Sequence, residues 1–234
     1  WHWRHNGSYS QTDSASGYQS NATYVQRDVS PLQSQLMVGE IHTPGELFDS
    51  VRLRGASLFS DDRMLPDSQT GFAPVVRGIA ETNARVSVRQ RGVLLDEVSV
   101  APGPFVLNDL FPTGYGGDLN VTITEADGRR REFVVPFAAN ANLLRAGYKR
   151  YSVSVGQLDE IGVRHPPKLL QATYQHGLSN LLSGYTGAVL ADDYHSQLAG
   201  AAFNTAFGAL SLDLTQSSAH LKGHGSLEGQ SLQM

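Results

Sequence analysis

The sequence predicts an all-β chain in which a partial transmembrane antiparallel β-barrel carries an inserted immunoglobulin-like β-sandwich. Three observations predict it. Segments of roughly ten residues alternate weakly between apolar and polar side chains from Trp1 to about Phe59 and again from Tyr148 to Gln216. A denser block of shorter strands, about Arg77 to Asn140, lies between them. No run of about 18 apolar residues occurs, which excludes a helical membrane span but leaves strands free to cross, since those need only about 9–11 residues.

The clearest long segment is Tyr151–Val155, where Tyr151, Val153 and Val155 share one face and Arg150, Ser152 and Ser154 the other. Leu170, Ala172 and Tyr174 oppose Gln171, Thr173 and Gln175, and Leu210, Leu212 and Leu214 oppose Ser211, Asp213 and Thr215. On the amino-terminal side Val51 and Leu53 oppose Arg52 and Arg54, and weaker strands are expected around Trp1–Gln11, Ala22–Arg27 and Gln33–Ile41. That makes about nine barrel strands. Several end in an aromatic (Trp1, Trp3, Tyr24, Phe59, Tyr148, Phe207), as interfacial girdles do. Alternation cannot by itself tell lipid from a protein core, so a soluble β-sandwich, adhesive or pilus-subunit-like, stays open at this point.

Within the inner block, Ala84–Gln90 and Val93–Val100 pair across a tight turn at Arg91-Gly92, and Ala101-Pro-Gly-Pro104 ends the second strand. Asp118–Thr124 and Glu132–Phe137 pair across Asp127-Gly128, completing a unit of five or six short strands. Turn-rich links flank it, so the expected division is 1–76 for barrel strands before the insertion, 77–140 for the insertion and 141–234 for the strands after it.

Composition narrows the function. With 22 acidic against 18 basic residues, and lysine only at 149, 168 and 222, no cationic face for nucleic acid is expected. The absence of cysteine excludes a disulfide framework and thiolate metal sites. His220 and His224 have i, i+4 spacing, but Gly223 and Gly225 oppose the helix that would join them. The adjacent pairs Asp61-Asp62 and Asp192-Asp193 suit turns better than catalysis, and no nucleophile elbow or phosphate loop occurs, so neither an enzyme nor a cofactor is expected. The chain opens at Trp1 without an initiator Met or leader, as an internal piece would.

The run Val100-Ala-Pro-Gly-Pro-Phe-Val-Leu-Asn-Asp-Leu110 resembles the signature of fimbrial outer-membrane ushers of the chaperone–usher pathway, carried by Val100, Pro102, Gly103, Pro104, Phe105, Leu107, Asp109 and Leu110. Arg54-Gly-Ala-Ser-Leu58, Ser60–Ser68 and Gly71-Phe-Ala-Pro-Val75 resemble the approach to the usher plug. Gly116-Gly-Asp-Leu119, Glu125-Ala-Asp-Gly128 and Gly147-Tyr-Lys-Arg-Tyr-Ser152 resemble its second half and the strand that follows.

The resemblance implies a wide outer-membrane barrel of about two dozen strands, plugged in the resting state, that accepts periplasmic chaperone–subunit complexes and passes the growing pilus outward. The family's periplasmic domains have no counterpart in these residues, and about nine strands are too few to close such a barrel. Expected partners are those complexes, the pilus and outer-membrane lipid. Plug hinges are expected at Pro66, Pro74, Arg77, Asn140 and Gly147, and lumen-facing charges at Arg52, Arg54, Arg150 and Asp213. Exposed charge on the plug would come from Arg85, Arg89, Arg91, Arg129, Arg130, Arg131 and Glu132, while Asn108 and Asp109 would terminate a strand.

Overall fold

Four strands come first: β1 (His2–Thr12), β2 (Ala15–Val29), β3 (Ser34–His42) and β4 (Arg52–Ser60). Six shorter ones follow: β5 (Val76–Ala80), β6 (Ala84–Gln90), β7 (Val93–Val100), β8 (Gly103–Leu107), β9 (Leu119–Glu125) and β10 (Arg130–Val135). Six long ones end the chain: β11 (Lys149–Leu158), β12 (Lys168–Gly177), β13 (Leu182–Ala191), β14 (Tyr194–Thr205), β15 (Gly208–Leu221) and β16 (Gly225–Gln233). The computed structural model describes residues 1–12, 15–111, 116–138, 142–160, 166–205, 207–221 and 225–234.

The long strands form one antiparallel wall in the order β1-β2-β3-β4-β11-β12-β13-β14-β15-β16. β4 and β11 pair directly, from Phe59 opposite Ser152 to Leu53 opposite Leu158, so the insertion of β5–β10 leaves the ladder continuous. The wall has ten strands where the sequence suggests about nine. The added one is β16, exposed along its length and without clean alternation.

The wall's two faces invert the soluble pattern. Val153, Val155, Leu210 and Leu212 are 44%, 53%, 58% and 46% exposed, whereas Ser152, Ser154, Gln171, Thr173 and Gln175 are buried. The buried hydroxyls satisfy one another, Ser57 with Ser154 and Ser152 with Thr173, both at 2.7 Å. A soluble sheet would turn the leucines and valines inward. A strand face of exposed aliphatic residues spread over several neighbours is what hydrocarbon solvates, so the outer face is the lipid face of a transmembrane barrel wall.

The insertion has its own solvent logic. Val86 and Val121 are fully buried and Ile123 nearly so, in a core shared with Val76, Val88, Phe105, Leu107 and Leu119. Its strands make a four-stranded sheet, β10-β9-β6-β7, and a two-stranded one, β5-β8. Arg91 and Gly92 both have positive φ, 48° and 83°, as a two-residue hairpin turn requires. The segment read as a strand end at Ala101–Pro104 instead opens β8. Among the described residues its one partner strand is β5, with Pro104 opposite Ile79, and an edge strand tolerates a proline that a central strand would not.

Candidate functional site

The insertion sits on the wall's inner face, and that contact is the candidate site. Phe72 and Leu143 from the links and Phe137 from the end of the insertion join Tyr185, Leu198 and Ala202 from β13 and β14 in one apolar cluster continuous with the insertion's core. The rings of Phe72 and Phe137 lie 5.7 Å apart and tilted, an arrangement that aromatic quadrupoles favour.

The connection between β3 and β4 folds over the same face. Thr43 staples its base, pairing with Val51 through its backbone N–H (2.9 Å) and its hydroxyl (3.0 Å). Leu47 and Phe48 then pack on the shared cluster. Gly187 in β13 makes room for Phe48, since a Cβ there would come within 2.6 Å of the ring.

Behind the connection, Arg150 lies 2.6 Å from Asp62 and 3.6 Å from Glu46, and Tyr148 donates to Asp62 at 2.7 Å. Burial pushes the Glu46 carboxyl up despite the Arg150 charge, and burial with the Asp62 hydrogen bond pushes the Tyr148 phenol up well beyond its ordinary range. Tyr148 therefore serves the inner cluster and not an interfacial girdle, and Phe59, opposite Gln35 and Ser152, likewise lies on the inner face.

Asp213 also faces inward, accepting from the Tyr185 hydroxyl at 3.2 Å. Arg52 and Arg54 do not share that face, which corrects the expectation that they point to the lumen. Pleating alternates them with Leu53, which is fully buried, and with Ser57, so both arginines lie on the face of Ala56 and Val155. There they pair with Glu40 (3.3 and 3.5 Å) and Asp159 (3.0 and 3.2 Å), at the end of β4 where a wall can carry charge at small cost.

The signature segment is structural. Phe105, Leu107 and Leu110 are buried, Val100 is half-buried at the end of β7, and Pro102, Pro104 and Asp109 are exposed. Gly103 opens β8 with φ of 122°, and Asn108 and Asp109 follow the strand's end. Of the hinge candidates, Pro66 and Arg77 are exposed, Pro74 is buried, and Asn140 lies outside the described residues. Gly147, at φ of 86°, donates to Gly177 (2.7 Å) and so prolongs the β11–β12 ladder. Charged side chains on the insertion form ion pairs: Arg85 with Glu97 (3.5 Å), Arg129 with Glu81 (2.8 Å) and Asp127 (2.6 Å), and Arg131 with Glu125 (2.8 Å).

Arg145 is one residue that sequence reasoning misses. It is buried and donates to three backbone carbonyls: Gly71 (3.0 Å) before the insertion, and Asn108 (3.1 Å) and Leu110 (2.6 Å) within it. Burial pushes the guanidinium down from its ordinary value, and the charge of Asp109 opposes that shift. No periodic signal marks such a side chain, because its partners are carbonyls that every residue has. No cluster of three metal-ligating side chains occurs among the described residues.

Comparison with known proteins agrees with this architecture. The family model "Outer membrane usher protein" matches residues 1–234. The chain is 46% identical over 233 residues to the outer membrane usher protein HtrE of Escherichia coli K12, covering 99% of this chain and 27% of HtrE. It therefore spans about a quarter of that relative's length. Among solved structures, the P pilus usher PapC translocation pore is 36% identical, with a TM-score of 0.55 over 93% of this chain and 44% of that one. PapC in the Escherichia coli P pilus tip assembly intermediate PapC–PapD–PapK–PapG gives 36% and 0.63, over 98% of this chain and 29% of that one. A wall with an aliphatic outer face and a folded unit seated on its polar inner face is thus part of an outer-membrane β-barrel, and the chain belongs to the outer membrane usher family.

Proposed function

We propose that this chain forms the gated part of a pilus-assembly pore, with residues 77–140 acting as the plug and residues 1–76 and 141–234 as wall. The complete protein takes chaperone–subunit complexes from the periplasm, aligns them for assembly and passes the pilus through the outer membrane. It works by positioning, without covalent chemistry of its own. The observation that carries the reading is the seat itself: the insertion packs on the inner face, against Tyr185, Leu198 and Ala202, where a channel would run. Neutral hydrogen bonds across the seat, such as Asn204 with Ala138 and Pro136, suit a contact that must be broken and remade, since water can replace them. The similarity to PapC, solved in a pilus tip assembly intermediate, supports the same role.

Deleting residues 77–140 from the complete usher tests the reading. Single-channel conductance in planar bilayers is expected to rise sharply. An unchanged closed state would end the plug assignment.

A further inference from the structure

Both links of the insertion are gripped by side chains from one end of the wall. Asn180, in the turn between β12 and β13, accepts from the Val75 N–H (2.9 Å) and donates to the Val75 carbonyl (2.6 Å), so one amide pairs with a link residue as a neighbouring strand would. Asn204, near the end of β14 and almost wholly buried, accepts from the Ala138 N–H (2.8 Å) and donates to the Pro136 carbonyl (2.8 Å). Its amide also reaches the Asn180 carbonyl (3.1 Å), tying the two grips together. Ser183, fully buried on β13, accepts from the Leu144 N–H (2.9 Å) and donates to the Leu144 carbonyl (3.3 Å).

We propose that Asn180, Ser183 and Asn204 form a neutral clasp that holds both plug links to the wall, and that opening the pore requires this clasp to let go. The proposal rests on the plug reading above and adds its release point. All three side chains sit on the wall, and apart from the Asn180 carbonyl their partners are backbone groups where the two links meet the insertion: Val75, Pro136, Ala138 and Leu144. An amide or hydroxyl can both give and take a hydrogen bond, so water can satisfy it once a link departs, and the open state leaves no stranded polar group. The grip carries no charge, so in the native protein it holds without regard to pH.

That neutrality supplies the test. In the complete usher, Asn180→Asp and Asn204→Asp keep the acceptor for Val75 or Ala138 but lose the donor, and set a carboxylate against the carbonyl of Val75 or Pro136. At neutral pH the open-to-closed ratio in planar bilayers is expected to rise about ten- to a hundredfold over the parent, the effect of one buried group left unpaired. Acidification returns an O–H donor and is expected to reclose the variants toward the parent's ratio, a reversal that general destabilisation would not show. Heat-modifiable gel mobility confirms that the barrel is folded. Ser183→Ala, which adds no charge, is expected to raise opening several-fold, and serves if the Asp variants fail to fold.

If deletion of residues 77–140 opens the pore but folded clasp variants stay closed at neutral pH, the clasp is overturned and gating stands. If the Asp variants open and acid does not reclose them, the donor role is overturned. If the deletion itself has no effect, the plug reading fails independently.

Discussion

Replacing Arg145 with Met keeps most of the side chain's volume and removes its five donors. Three charge-assisted hydrogen bonds vanish, at 2.6, 3.0 and 3.1 Å. Their gross contribution is on the order of 6 kcal/mol, and the cost of burying the guanidinium takes back roughly half of it. Gly71 and Asn108 belong to exposed residues, so their carbonyls can find water. Leu110 is buried, and its stranded carbonyl alone costs about 1–3 kcal/mol. The net loss is therefore about 2–4 kcal/mol, local to the contact between the links and the signature segment. Native-state hydrogen exchange read by mass spectrometry is the matching assay, because it reports local opening segment by segment. Peptides covering 70–75, 106–111 and 142–147 are expected to exchange about 30- to 1000-fold faster, with β12 and β13 unaffected. Acceleration below about fivefold in those peptides would show that the three carbonyls do not depend on Arg145.

Two further outcomes concern the insertion and the seam it enters through. Glu125, buried, accepts from Thr82 through hydroxyl (2.6 Å) and backbone (2.9 Å), from the Glu81 N–H (3.1 Å) and from Arg131 (2.8 Å), which holds its carboxyl at about 2 against an ordinary 4.5. A lowered folded value means that its stabilisation is complete above about pH 4.5 and is lost as pH falls toward about 2. Glu125→Gln is expected to flatten that acid limb of plug stability, measured as exchange protection of β6 and β9 against pH, and an unaltered limb would place the dependence elsewhere. At the seam, a Cβ on Gly55 would meet the Val155 carbonyl oxygen at 2.0 Å and the Gly156 Cα at 2.5 Å, both backbone. Gly55→Ala is expected to cost about 1–3 kcal/mol and lower the temperature of heat-modifiable unfolding, and no shift would mean that the strands do not approach so closely.

Much of the wall was legible because strand periodicity is a property of neighbours in sequence. Tyr151–Val155 and Leu210–Leu214 alternate cleanly, and both carry their aliphatic side chains outward. Periodicity says which residues share a face and not which solvent that face meets. Arg52 and Arg54 show the difference: charge suggested the lumen, whereas the register with β11, Arg54 opposite Gln157 and Ala56 opposite Val155, puts both on the outer face. Strand β8 was hidden by Pro102 and Pro104, which end a central strand but not an edge one. The seat was legible only in part, since Arg145, Asn180, Ser183 and Asn204 bind backbone atoms far away in sequence, and neither spacing nor residue type betrays a partner present in every peptide unit.

The direct pairing of β4 with β11 has a mechanical consequence. The nearly ninety residues between them, 61–148, leave and re-enter through two strand ends that are already neighbours, so the whole unit hangs from the mouth of one hairpin. It can swing, or be cut away, without a single rung of that hairpin having to break. Any force applied to this pendant is delivered to its tethers, and the staves on either side keep their register.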